Sequence, residues 1–178
     1  MSEPKAVGGT DYTQAIRGLA SPDSWCESAR SLAAAGERRA LIPLLEAYES
    51  PIEGGKRCLL EAMEQLDAGN AAHKLFESDD PRQRVYALRL MELFGSDGHL
   101  PVLVRALSDS ADGVRSQARR ALTNQEWTSA WEAAVINLLE STDPETLRMA
   151  TELLKRRNSA ASRAALQAHG AASRTADD

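Results

Sequence analysis

Four dipeptides, Ser21-Pro22, Ser50-Pro51, Asp80-Pro81 and Asp143-Pro144, punctuate the chain. Each joins a side chain able to accept a free N–H at a helix start to a proline whose fixed φ suits the first helical position, so each predicts that a helix opens there. Ser110 is expected to do the same job at a fifth place. The segments that follow align as SWCESARSLAAAG, GKRCLLEAMEQLD, QRVYALRLMELFG, GVRSQARRALTNQ and TLRMATELLKRRN. Every one carries a small residue in mid-helix, Ala29, Ala62, Ala87, Ala118 or Ala150, with apolar residues three or four positions later. Successive spacings of these alanines are 33, 25, 31 and 32 residues, a loose period near 30. Helical hairpins at such a period predict a solenoid in which each pair buries its apolar face only against its neighbours.

A sheet would need short alternating runs of β-branched and aromatic residues. Aromatics make up 4% of the chain, Ala and Leu are abundant, and no such run occurs. The expectation is therefore an all-α protein, a right-handed α-solenoid of about five hairpins over residues 11–169. Residues 1–10 are expected to be a flexible lead and residues 170–178 a disordered tail. Within the array, helices are predicted over 11–20, 22–36, 37–49, 51–67, 68–78, 81–94, 100–107, 114–124, 126–140, 144–157 and 159–169, with Gly54-Gly55 delaying the regular part of the fourth to Lys56. No apolar stretch approaches the roughly 20 residues of a membrane span, and no charged-then-apolar leader opens the chain, so a cytoplasmic protein is expected.

Between Asp80 and Leu122 the sequence resembles HEAT repeats. DSADGVRSQARRAL is similar to the second half of such a unit, with Asp112 in the turn, Val114-Arg115 at the helix start and Ala118, Ala121 and Leu122 on the core face. LPVLVRALSD is similar to a first half ending in the Leu-x-Asp turn of short bacterial units of the phycobilisome-lyase type. The resemblance is looser over 21–67 and 142–169. It implies a fold and a geometry, in which second helices of the pairs line a concave surface, but arrays of this kind serve many tasks.

Helical periodicity then selects the side chains expected to face outward on those second helices. They are Glu61 and Glu64 in the second pair, Val85, Arg89 and Glu92 in the third, Arg119 and Arg120 in the fourth, and Arg148 and Lys155 in the fifth. This face is expected to run from acidic to basic. Residues 1–81 hold 8 Lys or Arg against 14 Asp or Glu, and residues 82–178 hold 13 against 12. Asp112 with Arg115 and Asp143 with Arg148 are expected to be structural pairs. Arg119, Arg120, Lys155, Arg156 and Arg157 have no partner assignable from spacing. In VYALRLMELF eight of ten residues are apolar, which fits a central helix buried nearly all round, or else an apolar groove formed by Val85, Tyr86 and Leu88. Trp127 and Trp131, four apart, are expected to share one helix face.

Cys26 and Cys58 lie 32 positions apart at equivalent helix starts. Packed helix axes are separated by about 8–10 Å and a disulfide needs Cα atoms within about 7 Å, so two free thiols are predicted. His73, His99 and His169 are scattered singly, and no metal or other cofactor is expected. No phosphate loop, nucleophile elbow or His-Glu-x-x-His occurs. The expected function is non-catalytic: an adaptor or scaffold binding a segment of another protein through the outward residues named above. Nucleic-acid binding through the C-terminal basic ridge is the alternative, although the sequence pI of about 5.3 argues against a continuous basic track. A phycobilin-lyase-like accessory role is the enzyme-class competitor that the resemblance raises. A homodimer through a terminal repeat is a further expectation, since neither end shows a strongly polar capping unit.

Overall fold

The computed structural model describes residues 12–52 and 54–176, with side chains as far as residue 171. The lead expected over residues 1–10 lies outside the described residues. Among the described residues all regular structure is helical. In chain order the α-helices are α1 (Tyr12–Gly18), α2 (Trp25–Ala34), α3 (Leu41–Tyr48), α4 (Lys56–Gln65), α5 (Ala68–Phe76), α6 (Pro81–Leu93), α7 (Leu100–Arg105), α8 (Asp112–Asn124), α9 (Ser129–Asn137), α10 (Pro144–Arg157) and α11 (Ala160–Ala176). Short 3₁₀ turns precede α2, α3 and α7 and follow α7 and α9. The chain divides into two compact units within α5, after Lys74. No described helix is long and apolar enough to cross a membrane.

In the second unit the caps fall where the sequence places two of them. Asp80 accepts from the Arg82 N–H at 2.9 Å and Asp143 from the Thr146 N–H at 2.8 Å, each followed by proline at the first helical position. Ser110 is not a cap. Ala111 stands before α8, and the Asp109 carboxylate accepts its N–H at 2.9 Å. That bond has counterparts one hairpin away in each direction: the Asp80 N–H donates to Ser78 Oγ and the Asp143 N–H to Ser141 Oγ, both at 3.2 Å. Arg84 and Arg115 also repeat each other. Nη1 of Arg84 donates to the carbonyls of Ser78 and Asp79, and Nη1 of Arg115 to those of Asp109 and Ser110. Each guanidinium thereby satisfies turn carbonyls that no helix bonds.

α6 packs along α8, and α10 against α9 and α11. Ala87, Ala118 and Ala150 are fully buried, as the periodicity requires, with Leu88, Leu90, Met91, Leu122 and Leu154 around them at 0% exposure. Leu88 therefore belongs to the core and not to a groove margin. Trp127 and Trp131 do not share a helix face, because Thr128 caps α9 and its Oγ1 accepts the Trp131 N–H. Trp131 is buried, while Trp127 stays in the connection with the Arg157 guanidinium over its ring at 5.8 Å. α11 runs to Ala176, beyond the end expected at His169 and into the stretch expected to be disordered. Its Ser162 is completely buried, and Ser162 and Ser159 donate to the Glu132 carboxylate of α9.

The first unit departs further from expectation. Ser21-Pro22 opens a 3₁₀ turn with α2 behind it, and Ser50-Pro51 opens no helix. α4 begins at Lys56, the point to which Gly54-Gly55 is expected to delay it, behind Gly55, whose φ of +76° is a left-handed conformation that a side chain would strain. A Cβ at Gly55 would also lie 3.2 Å from the Trp25 ring. Gly55 thus lets the start of α4 close on the start of α2. There Cys26 and Cys58 form a disulfide with a Cα separation of 5.0 Å, which corrects the prediction of free thiols. That prediction confused axis distance with surface distance. Cα atoms stand about 2.3 Å off a helix axis, so two facing Cα atoms on axes 8–10 Å apart are only about 4–5 Å from each other.

Candidate functional site

Of the nine residues expected on a binding face, Glu61 and Glu64 lie on α4 in the first unit and seven lie in the second. On α4, Glu61 is exposed and pairs with Arg57 one turn earlier at 2.8 Å. Glu64 is exposed and forms no ion pair among the described residues.

In the second unit the remaining seven residues occupy α6, α8 and α10. Val85 is half-buried, and Arg89 stacks its guanidinium over the Tyr86 ring at 5.6 Å. No residue of α6 from Gln83 to Leu93 is fully exposed, so the excess of apolar residues there reflects burial on nearly all sides.

Glu92 anchors the junction of α6 with α8. Its side chain keeps only 15% exposure and accepts from Gln117 Nε2 at 2.6 Å, Asn124 Nδ2 at 2.7 Å and Arg120 Nε at 3.2 Å. Arg119, on the same helix as Arg120, turns the other way and donates to Glu145 of α10 at 3.1 Å. Glu145 also accepts two bonds from Arg148, which reaches Glu152 as well. The Arg148 guanidinium, and then that of Arg119, holds the Glu145 carboxyl below its ordinary range.

The result is a rank of three helices cross-tied by alternating acid and base, Glu92 to Arg120 and Arg119 to Glu145. Arg119 and Arg120 therefore have partners, contrary to what spacing alone offers. Asp112 does pair with Arg115. Asp143 does not pair with Arg148: its carboxylate accepts from the Thr146 hydroxyl and N–H and from the Ser108 hydroxyl, which lowers its pKa, and Arg148 turns to Glu145 and Glu152. Sequence reasoning missed Glu145, the hub of the rank, because an acidic residue just inside a helix start reads as ordinary helix-end complementation.

A cluster of untied basic residues sits at the C-terminal end of α10. Lys155 and Arg156 are exposed and form no ion pair among the described residues, Arg157 covers Trp127, and Arg163 donates to the Asn158 carbonyl. Where α6 and α8 end, a cleft of about 530 Å³ opens between the turns at 93–97 and 124–128, with Glu92, Asp97, Gln125 and Glu126 on its walls. Gln125 is buried and Asp97 accepts the Thr128 hydroxyl, so the walls are held. Among the described residues no group of His, Cys, Asp or Glu is arranged to hold a metal ion. This face presents charged and hydrogen-bonding side chains. No family model matches the chain, and no curated protein shows significant similarity to it.

Proposed function

We propose that the chain is a non-catalytic protein-binding module, built as a HEAT-like α-solenoid, in which α6, α8 and α10 form the docking face for an acidic segment of a partner protein. The repeat reading is supported by helix starts at Pro81, Asp112 and Pro144 and by the turn hydrogen bonds that recur before each of them. The observation that carries the functional reading is the contrast in how charge is used along the rank. Arg119, Arg120 and Arg148 are bound to carboxylates of neighbouring turns, whereas Lys155 and Arg156 are exposed without an ion pair among the described residues. The tied residues keep the face rigid, and the untied pair takes an external carboxylate without breaking an internal bond. Such complementarity sets orientation and association rate more than affinity.

The test compares capture from native extract by the wild-type chain and by Lys155→Glu with Arg156→Glu, with and without nuclease and at raised salt. One protein recovered stoichiometrically by the wild type and lost by the folded variant is the expected outcome. Equal capture by both removes the docking face from this end of α10. Recovery of nucleic acid, lost at raised salt, replaces the reading with a nucleic-acid site on Lys155, Arg156, Arg157 and Arg163.

A further inference from the structure

The Cys26–Cys58 bond sits in surroundings that make it a target for chemistry as well as a staple. Both cysteines lie in the first turn of their helices, Cys26 second in α2 and Cys58 third in α4. Helix N-termini carry partial positive charge that favours a thiolate over a thiol. Both residues are partly exposed, so a small thiol in solution can reach them. The two sulfurs are not equivalent. Arg30, on α2 one turn beyond Cys26, points Nη2 at Cys58 Sγ across 4.0 Å and gives that sulfur a fixed cation. Among the described residues no such cation is placed on Cys26 Sγ, whose neighbour across the start of α4 is Gly55, where an added Cβ would stand 3.9 Å from the sulfur.

We propose that Cys26–Cys58 is a thiol–disulfide exchange site for low-molecular-weight thiols of the glutathione class, attacked at Cys26 with Cys58 as the leaving group. The incoming thiolate forms a bond to Cys26 Sγ as the Sγ–Sγ bond breaks, and its electron pair departs on Cys58 Sγ as a thiolate beside Arg30. A second thiolate attacks the thiol-derived sulfur of the mixed disulfide, releasing Cys26 as thiolate and a symmetrical disulfide of the small thiol. Two small thiols are oxidised and one protein disulfide is reduced, so electrons balance. The direction follows from the leaving group: the sulfur better stabilised as thiolate leaves faster, and attack falls on its partner. Arg30 is a positioning residue in this scheme. Exchange removes the covalent tie between α2 and α4, and the site belongs to the first unit, whereas the docking face proposed above belongs to the second.

The experiment treats the intact oxidised chain with reduced glutathione, stops exchange early with acid, alkylates the freed protein thiols with N-ethylmaleimide under mildly acidic conditions, and reads the products by peptide mass spectrometry. Glutathione on Cys26 with alkylated Cys58 is expected to outnumber the reverse product by about tenfold, because the thiolate formed beside Arg30 is the better leaving group. Arg30→Gln should bring the two products close to parity, and Arg30→Lys, which retains the cation, should restore the bias. A merely structural role for Arg30 would not show that rescue. A cross-link inert to glutathione over hours, a majority of adduct on Cys58, or a bias indifferent to Arg30→Gln overturns the proposal.

Discussion

Arg84 and Asp109 meet fork to fork, Nε on Oδ2 and Nη2 on Oδ1, each at 2.8 Å, with side chains only 14% and 11% exposed. The same carboxylate holds the Ala111 N–H at the start of α8, so one residue closes a turn and ties it to α6. Asp109→Ala deprives a largely covered guanidinium of its carboxylate, leaving only its bonds to the Ser78 and Asp79 carbonyls, and should cost about 1–3 kcal/mol. Chemical denaturation should show this as a lower midpoint for the second unit. An unchanged midpoint would mean the pair contributes nothing net.

Acid should loosen the same unit. The bidentate bond from Arg84 lowers the Asp109 pKa, the Ser159 and Ser162 hydroxyls lower that of Glu132, the Thr146 hydroxyl and N–H lower that of Asp143, and Arg148 lowers that of Glu145. A carboxyl depressed in the folded state contributes stability that is complete above its unfolded pKa and disappears as pH falls through the folded value. Stability should therefore hold down to about pH 4–5, the unfolded range of Asp and Glu, and decline progressively below it. Circular dichroism melts between pH 7 and pH 2 check this; a melting temperature that is flat to pH 2 would rule it out.

The cross-link in the first unit closes a loop with a sequence separation of 32. Chain-entropy reasoning gives such a loop roughly 3–4 kcal/mol of stabilisation. Cys26→Ser with Cys58→Ser should accordingly produce a separate, earlier melting step for the first unit. A single melting step at the wild-type temperature would show that the helices hold together without the bond.

Reversing Arg119 and Arg120 to Glu sets each new carboxylate against Glu145 and Glu92. Both arginines are partly solvated, at 37% and 66% side-chain exposure, so each lost pair is worth little and the double change should cost about 1–2 kcal/mol. The variant should remain helical and melt several degrees lower, and the loss should shrink in high salt. For this reason Lys155 and Arg156, which have no internal ion pairs, probe partner binding more cleanly.

The parts of the fold that depend on short spacings could be read from the chain. Asp80-Pro81 and Asp143-Pro144 announce α6 and α10, and Ala29, Ala62, Ala87, Ala118 and Ala150 are all at most 3% exposed. What could not be read depends on which neighbour a side chain meets. Arg119 and Glu145 are 26 residues apart and Arg120 and Glu92 are 28, and either arginine has equally spaced alternatives until the helices are packed. Gly54-Gly55 was visible, but as a break in the pattern. The value of Gly55 lies in the room it leaves for Trp25, a residue of another helix, and only the local effect of a glycine is legible in sequence.

The ties of the second unit all span short stretches of chain. Arg84 reaches Asp109 across 25 residues, Arg119 reaches Glu145 across 26, and Ser108 reaches Asp143 across 35. Closing loops of that size costs little more than closing the hairpins themselves, and helical domains with such local contacts fold in microseconds to milliseconds. Each helix of the rank finds its partner within about one hairpin of being made, so the second unit can assemble progressively behind the ribosome.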